Sequence, residues 1–72
     1  GNKNMRRVGA HYIKKGETTL SQGVVEIEDG RVVNYYTFTE ELPMTEWLGG
    51  TIELRYTEDG ILQAFINNKL IC

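Results

Sequence analysis

The fold is decided by one stretch of sequence, Val24-Val25-Glu26-Ile27-Glu28-Asp29-Gly30-Arg31-Val32-Val33. Its centre is an Asp-Gly pair between alternating apolar residues, which is the strongest short-range signal for a β-hairpin. A second acidic turn, Glu58-Asp59-Gly60, also lies between two runs rich in β-branched and aromatic residues. These two turns predict an all-β chain, folded as a small antiparallel β-sandwich or partly open barrel of about five to six strands.

The turn at Asp29-Gly30 also predicts the register of the first hairpin, whose strands are expected at residues 19–28 and 31–39. A two-residue loop sets Ile27 opposite Val32, Val25 opposite Asn34, and Glu28 opposite Arg31. The last pair has opposite charges, which stabilises adjacent strands. The register predicts one apolar face made of Val25, Ile27, Val32, Tyr36 and Phe38.

The second hairpin requires a loop of three residues rather than two. Its first strand, residues 51–56, alternates between polar and apolar side chains. A loop at residues 58–60 places Gly60 at the left-handed position, where glycine is least strained. It pairs Tyr56 with Leu62, Leu54 with Ala64, and Ile52 with Ile66. The two hairpins together predict a core of Val25, Ile27, Val32, Ile52, Leu54, Leu62 and Ile66.

Three further segments complete the predicted chain path. A leading strand at residues 7–14 places Val8, Ala10 and Tyr12 on one face, and Arg7, Gly9, His11 and Ile13 on the other. Pro43 excludes a central strand from residues 40–48, which we expect to form a compact turn at one end of the sheet. Gly49-Gly50 then returns the chain to a strand, and Asn67-Asn68 predicts a third turn before a short strand at 69–72.

The length of the chain predicts a single β domain at residues 1–72. We expect residues 1–5 to be flexible and Gly1 to be a tag remnant, behind which a targeting segment would be invisible. Cys72 is the only cysteine and His11 the only histidine. Neither a disulfide within the chain nor a metal site is therefore expected to support a thin core.

Side chains on the outer faces favour self-association. The predicted registers leave three large apolar residues facing away from the core, namely Val33, Tyr35 and Phe65. One-sided sheets are normally polar on that face, so either the sheet curls into a barrel or sandwich or a second chain covers it. We expect a homo-oligomer, most simply a twofold dimer, or an unidentified protein partner.

The chain carries eight basic and ten acidic residues, unevenly distributed. Residues 1–15 hold no acid and five of the bases, which are Lys3, Arg6, Arg7, Lys14 and Lys15. Such an arm can bind phosphate, but nucleic-acid-binding domains normally have a clear basic excess, which is missing here. We therefore expect the leading strand to lie across an acidic sheet. No stretch approaches the ~20 apolar residues needed to cross a bilayer, so we expect no membrane contact and a cytoplasmic location.

No residue pattern predicts a catalytic, cofactor-binding or metal-binding site, and we expect the protein not to be an enzyme. His11 and Cys72 each lack the partner residues that such chemistry needs. Glu26 and Glu28 share a strand face, but Val33 and Arg31 are their predicted neighbours, so we interpret them as a salt-bridged surface. Four aromatic residues are candidates for stacking nucleic-acid bases, although packing is their commoner use: Tyr35, Tyr36, Trp47 and Tyr56.

The stretch from Ala10 to Leu54 resembles the N-terminal β segment of metal-dependent hydrolases of the amidohydrolase superfamily. A strand similar to Ala10-His11-Tyr12-Ile13 leads in that family to a "VxVEDGRIV" hairpin, which residues 23–33 resemble. The passage Trp47-Leu48-Gly49-Gly50-Thr51-Ile52 is similar to the one that enters the family's catalytic barrel. The family's His-x-His metal motif has no counterpart here, since residues 51–55 contain no histidine and 17 residues follow them.

The resemblance implies a fold and no active site. It implies a small β-sandwich of the composite-domain type, completed by residues 51–72 or by a second copy of the chain. No catalytic or metal-binding residue is carried over. The sequence thus favours a non-catalytic β domain that acts through protein–protein association or self-assembly. A single-stranded nucleic-acid-binding barrel and an accessory subunit of a barrel hydrolase are the alternatives.

Overall fold

A computed structural model describes residues 4–40 and 42–72, and its regular structure consists of seven β-strands. They are β1 (Met5–Lys15), β2 (Thr18–Glu28), β3 (Arg31–Thr37), β4 (Glu46–Trp47), β5 (Thr51–Tyr56), β6 (Leu62–Ile66) and β7 (Lys69–Ile71). All belong to one sheet in the order β3-β2-β1-β5-β6-β7, with β4 paired to β1. The sheet is curled, so that β3 contacts β6. These two strands do not pair, and the sheet is therefore not closed into a barrel. The predicted all-β fold of the partly open type is confirmed.

The extra strand and the pairing of β1 were not predicted. β1 runs antiparallel to β2 but parallel to both β4 and β5, which follow one another along its other edge. Gly49 and Gly50 lie between β4 and β5, both at positive φ. Residues 1–5 were expected to be flexible; residues 1–3 lie outside the described residues, and Met5 already belongs to β1. Residue 41, in the predicted compact turn, also lies outside the described residues.

A β-bulge in the first hairpin changes which side chains of β3 face the core, so the predicted face is wrong beyond Val32. The turn is as predicted, with Asp29 and Gly30 at positive φ and with Glu28 opposite Arg31 and Ile27 opposite Val32. The register then shifts, so that the next pair is Glu26 with Asn34. Val33 is the extra residue, and Val25 therefore faces Tyr35 rather than Asn34. A bulge reverses the alternation of side chains beyond it.

The bulge exchanges the positions of the β3 aromatic residues. Tyr35, predicted on the outer face, packs against the core. Tyr36 and Phe38, predicted on the inner face, lie outside the core: Tyr36 is opposite Val24, and Phe38 contacts the Trp47 ring. Val33 stays half exposed, as predicted for an outer position.

A similar reversal occurs in the middle of β1. Val8 and Ala10 are buried as predicted, but Ile13 is buried and Tyr12 is 48% exposed, which is the opposite of the predicted pattern. The ladder pairs Ala10 with Gly23 and Tyr12 with Ser21, and Gln22 between them has a φ of 57°. A left-handed residue interrupts the pleat, so the alternation restarts on the other face.

The second and third turns are as predicted. β5 and β6 pair Tyr56 with Leu62 and Leu54 with Ala64. The loop is closed by the Thr57 amide, which donates to the Ile61 carbonyl over 2.8 Å, and Gly60 has a φ of 83°. Asn67 and Asn68, both at positive φ, return the chain into β7.

Substitution of Gly60 by valine tests this turn. We expect Gly60→Val to lower the free energy of unfolding by about 1 kcal/mol or more, because a β-branched residue is strained at positive φ. Thermal melting measures this loss of stability, with Glu58→Val as the control. Residue 58 lies in the same exposed turn, but its φ is not positive. Equal melting of the two variants would show that the backbone conformation at residue 60 does not matter.

The core lies inside the curl and contains all seven predicted residues. Val25, Ile27, Ile52 and Leu54 are buried, and Val32, Leu62 and Ile66 pack against them at partial exposure. Five further residues complete the buried cluster: Val8, Ala10, Ile13, Ala64 and Ile71. Both hairpins and β1 therefore contribute to a single core.

The basic leading strand, which was expected to lie across an acidic sheet, is instead a central strand of the sheet, and two of its arginines form ion pairs. Arg6 forms two hydrogen bonds to the carboxylate of Glu46, at 3.0 and 2.9 Å. Arg7 donates to Glu26 over 3.1 Å and to the carbonyl of Pro43 over 2.9 Å. These contacts fasten the connection between β3 and β5 onto β1. The hydrogen bonds from Arg6 also hold the pKa of the Glu46 carboxyl below its ordinary value of 4.5.

The lowered pKa of Glu46 predicts a contribution to acid sensitivity. A carboxyl whose pKa is lower in the folded than in the unfolded state stabilises the fold above pH 4.5, and this stabilisation is lost as the pH falls through the folded pKa. We expect the melting temperature of Glu46→Gln to fall less than that of the wild type between pH 7 and pH 3. Glu58→Gln, which removes a carboxylate from the second turn, is the control. Parallel curves for wild type and Glu46→Gln would contradict the prediction.

Candidate ligand-binding cleft

A cleft opens where the curled sheet fails to close. Its first hollow has a volume of about 570 Å³. The floor is apolar, formed by Ile13, Leu20 and Leu54. The remaining lining residues are Lys15, Gly16, Thr18, Tyr35, Arg55 and Tyr56. A hollow of this size with an apolar floor and a few polar groups is the usual form of a binding site.

Lys15 lies between the two tyrosines of this hollow. Its Nζ is 5.7 Å from the centre of the Tyr35 ring and 5.2 Å from that of Tyr56, both within the range of cation–π attraction. Interactions with the phenol groups of Tyr35, which has the larger effect, and of Tyr56 raise the pKa of Lys15 above its ordinary value. Lys15 is therefore positively charged at neutral pH and is held at the mouth of the hollow.

A second hollow of about 500 Å³ shares Tyr35 and Tyr56 with the first. It lies between β3 and the turn that joins β5 to β6. Its other lining residues are Arg31, Val32, Val33, Asn34, Gly60, Ile61 and Leu62. The two hollows thus adjoin at the tyrosine pair, and we name them together the tyrosine cleft.

The tyrosine cleft is positively charged in a chain with a net charge of −2. Three cations line its two hollows, whereas no acidic residue of the described chain does. Arg55 is already paired with Glu53 at 3.2 Å and lies over the Phe65 ring, and Arg31 is opposite Glu28. Within residues 4–40 and 42–72, no carboxylate lies within ion-pair distance of Lys15.

A second aromatic group lies on the outer face, away from the cleft. The Trp47 ring lies over Gly9, where a β-carbon would be 3.1 Å from its Cε3 atom. His11 and Phe38 contact the same ring edge-on, with ring centres 5.0 and 6.1 Å away. Trp47 is still 50% exposed. His11 is thus placed beside an aromatic ring, a position that supports packing.

The other residues considered for chemistry are separate from one another. Cys72 is an exposed free cysteine. Glu26 accepts hydrogen bonds from Arg7 at 3.1 Å and from the Tyr36 hydroxyl at 2.7 Å, which raises the pKa of Tyr36. Glu26 is thus salt-bridged, as predicted, although it faces Asn34 across the ladder instead of Val33. In the part of the chain that the structure describes, no three His, Cys, Asp or Glu side chains are grouped so as to hold a metal ion.

The aromatic residues proposed as a stacking platform do not form one group. Tyr35 and Tyr56 line the cleft, whereas Trp47 lies on the outer face and Tyr36 is bonded to Glu26. Arg6 and Arg7 of the basic arm are already paired with carboxylates. The arrangement therefore gives little support to a nucleic-acid surface.

Comparisons with known proteins give no relative to set beside this site. No family model, curated protein or solved structure matches the chain. The resemblance to the accessory β module of amidohydrolases stays a prediction. The described residues include no helix long and apolar enough to span a membrane.

The tyrosine cleft was not predicted from the sequence. The cleft depends on the bulge at Val33, which turns Tyr35 inward, and on the curl that brings β3 near the β5–β6 turn. One signal was available, namely the excess of apolar residues on the outer face of β3, which a bulge would have explained. Lys15 was one of the five bases of the leading arm, but no sequence signal singled it out from the others.

Proposed function

We propose that this domain is a non-catalytic binding module that associates with an extended segment of another polypeptide through the tyrosine cleft. The observation behind the proposal is the pair of hollows, about 570 and 500 Å³, that share Tyr35 and Tyr56. Two adjacent hollows fit successive side chains of an extended segment better than a compact metabolite. Tyrosine is also enriched among the residues that contribute most to protein interfaces.

The edge of the sheet favours side-chain binding over addition of a strand. β3 is an edge strand, and exposed edges are open to pairing with another chain. Its bulge at Val33 and the hydrogen bond from the Tyr35 amide to the Asn34 side chain, 3.0 Å long, are features that protect such an edge. The tyrosine cleft beside this edge is therefore the better candidate for the contact surface.

Selection from a random nine-residue peptide display library tests this proposal. We expect enriched peptides to shift the backbone amide resonances of the cleft residues in NMR titrations. Tyr56→Ala should weaken their binding about tenfold or more, because truncating a central aromatic anchor commonly has an effect of this size. Tyr56 is 60% exposed, so its loss should leave the fold intact.

Tyr12→Ala is the matched control, because Tyr12 is 48% exposed and lines neither hollow. It should bind the enriched peptides as the wild type does. A library that yields no enriched peptide, or peptides whose shifts lie outside the cleft, would refute the proposal.

The predicted homodimer is a separate proposal with a changed structural basis. Of the three residues that motivated it, Val33 stays half exposed, whereas Tyr35 is packed on the core and Phe65 lies under Arg55. The outer face instead presents Trp47 and Tyr12, each about half exposed. Exposed apolar side chains grouped on one face favour an interface.

Sedimentation equilibrium at micromolar concentration measures the oligomeric state directly. We expect twice the chain mass of 8.2 kDa, and we expect Trp47→Ala to reduce it to the monomer while Tyr56→Ala does not. A wild-type mass near 8.2 kDa would contradict the dimer. A dimer lost in Tyr56→Ala would place a second copy in the cleft and overturn the proposed binding of another polypeptide.

A further inference from the structure

We infer that the segment bound in the tyrosine cleft is an apolar one that carries a carboxylate, which pairs with the ammonium group of Lys15. This inference rests on the proposed function, because it specifies the chemistry of that same site. The occupant is an acidic, apolar polypeptide segment.

The first reason is the placement of Lys15 within the hollow. Its charge stands beside an apolar floor formed by Ile13, Leu20 and Leu54. A ligand that only filled the floor would cover the charge without pairing it, and a buried unpaired charge is costly. A carboxylate on the ligand removes this cost and adds a charge-assisted hydrogen bond.

The second reason is that Lys15 has no carboxylate partner among the described residues. Arg55, the other cation of the first hollow, is paired with Glu53. Lys15 instead contacts two tyrosine rings, which orient its side chain without neutralising it. A ligand carboxylate would therefore meet a positioned and unneutralised ammonium group.

The third reason is that the cleft has no competing negative charge. No acidic residue of the described chain lines either hollow, although the chain has more acids than bases. The hydroxyl groups of Tyr35 and Tyr56 are also able to donate to a carboxylate. The lining is thus complementary to an anion at Lys15.

The test compares peptide selections against four forms of the full chain, namely wild type, Lys15→Gln, Lys15→Arg and Lys14→Gln. Lys14 is the matched control, since it is the adjacent exposed lysine and lines neither hollow. We expect Asp or Glu to be enriched at one peptide position with wild type, Lys14→Gln and Lys15→Arg, and to lose that enrichment with Lys15→Gln. For the best peptide, changing its acidic residue to the amide should weaken binding to wild type about tenfold.

The same amide substitution should leave binding to Lys15→Gln unchanged, because the partner charge is already absent. Acidic enrichment that persists with Lys15→Gln would overturn the inference. Enriched peptides that bind in the cleft without any acidic residue would overturn it too, while leaving the proposed function intact. A library that yields no cleft-binding peptide would refute the proposed function itself.

Discussion

Gly23→Ala is expected to lower the free energy of unfolding by about 2–3 kcal/mol, measured by urea denaturation. Gly23 is buried in β2 opposite Ala10, and the Ile13 side chain lies directly over it. A β-carbon at residue 23 would overlap Cγ1 of Ile13 and would lie 3.2 Å from its Cβ. The obstacle is a buried branched side chain near its backbone, so it cannot move aside cheaply.

A double-mutant cycle separates this overlap from other effects of alanine at residue 23. Ile13→Ala alone should also destabilise the fold, but the double variant should be less destabilised than the sum of the two. Gly9→Ala is the control, because its new β-carbon would lie 3.1 Å from the half-exposed Trp47 ring, without the overlap found at Gly23. Additive effects in the cycle would show that Ile13 is not the obstacle.

The parts of the fold that the sequence predicts are those fixed by local turn chemistry. Asp29-Gly30, Gly60 and Asn67-Asn68 adopt the positive φ values that their residue types favour, and the adjoining ladder pairs follow from loop length. Alternation alone then identifies the core positions of β5 and β6. These features depend on residues within a few positions of each other in the chain.

The parts that the sequence did not predict depend on contacts distant in the chain. Gln22 adopts positive φ in the middle of a strand, which its residue type does not favour. Its conformation allows Ile13 to turn inward over Gly23. The parallel pairing of β1 with β5 likewise joins residues about forty positions apart, such as Ile13 with Ile52. Periodicity within a strand carries no information about such pairings.

The candidate site was harder to predict than the core because it depends both on local irregularities in the strands and on the curl of the whole sheet. Tyr35 reaches the cleft only after the bulge at Val33, and Lys15 only after the reversal in β1. Tyr56 comes from a correctly predicted hairpin, but the curl of the sheet decides what it faces. Irregularities in sheets often re-aim side chains toward functional sites, which agrees with their position here.

Ile52→Ala is expected to lower the free energy of unfolding by about 2–5 kcal/mol, because it removes a fully buried branched side chain and leaves a cavity. Ile52 is 0% exposed and is opposite Ile13 in the ladder that joins β5 to β1. That ladder connects the two hairpins. Domains of this kind are stable by roughly 0.05–0.15 kcal/mol per residue, so the loss is a large part of the total.

Ile61→Ala is the matched control for the same change of side chain. Ile61 is 38% exposed and lies outside the core cluster, so its truncation should lower the free energy of unfolding by less than about 1 kcal/mol. Denaturant unfolding of both variants measures the difference. Equal destabilisation would mean that Ile52 is not enclosed between the two hairpins. The floor of the tyrosine cleft would then lose its support as well, because Leu54 is held inward by the same strand.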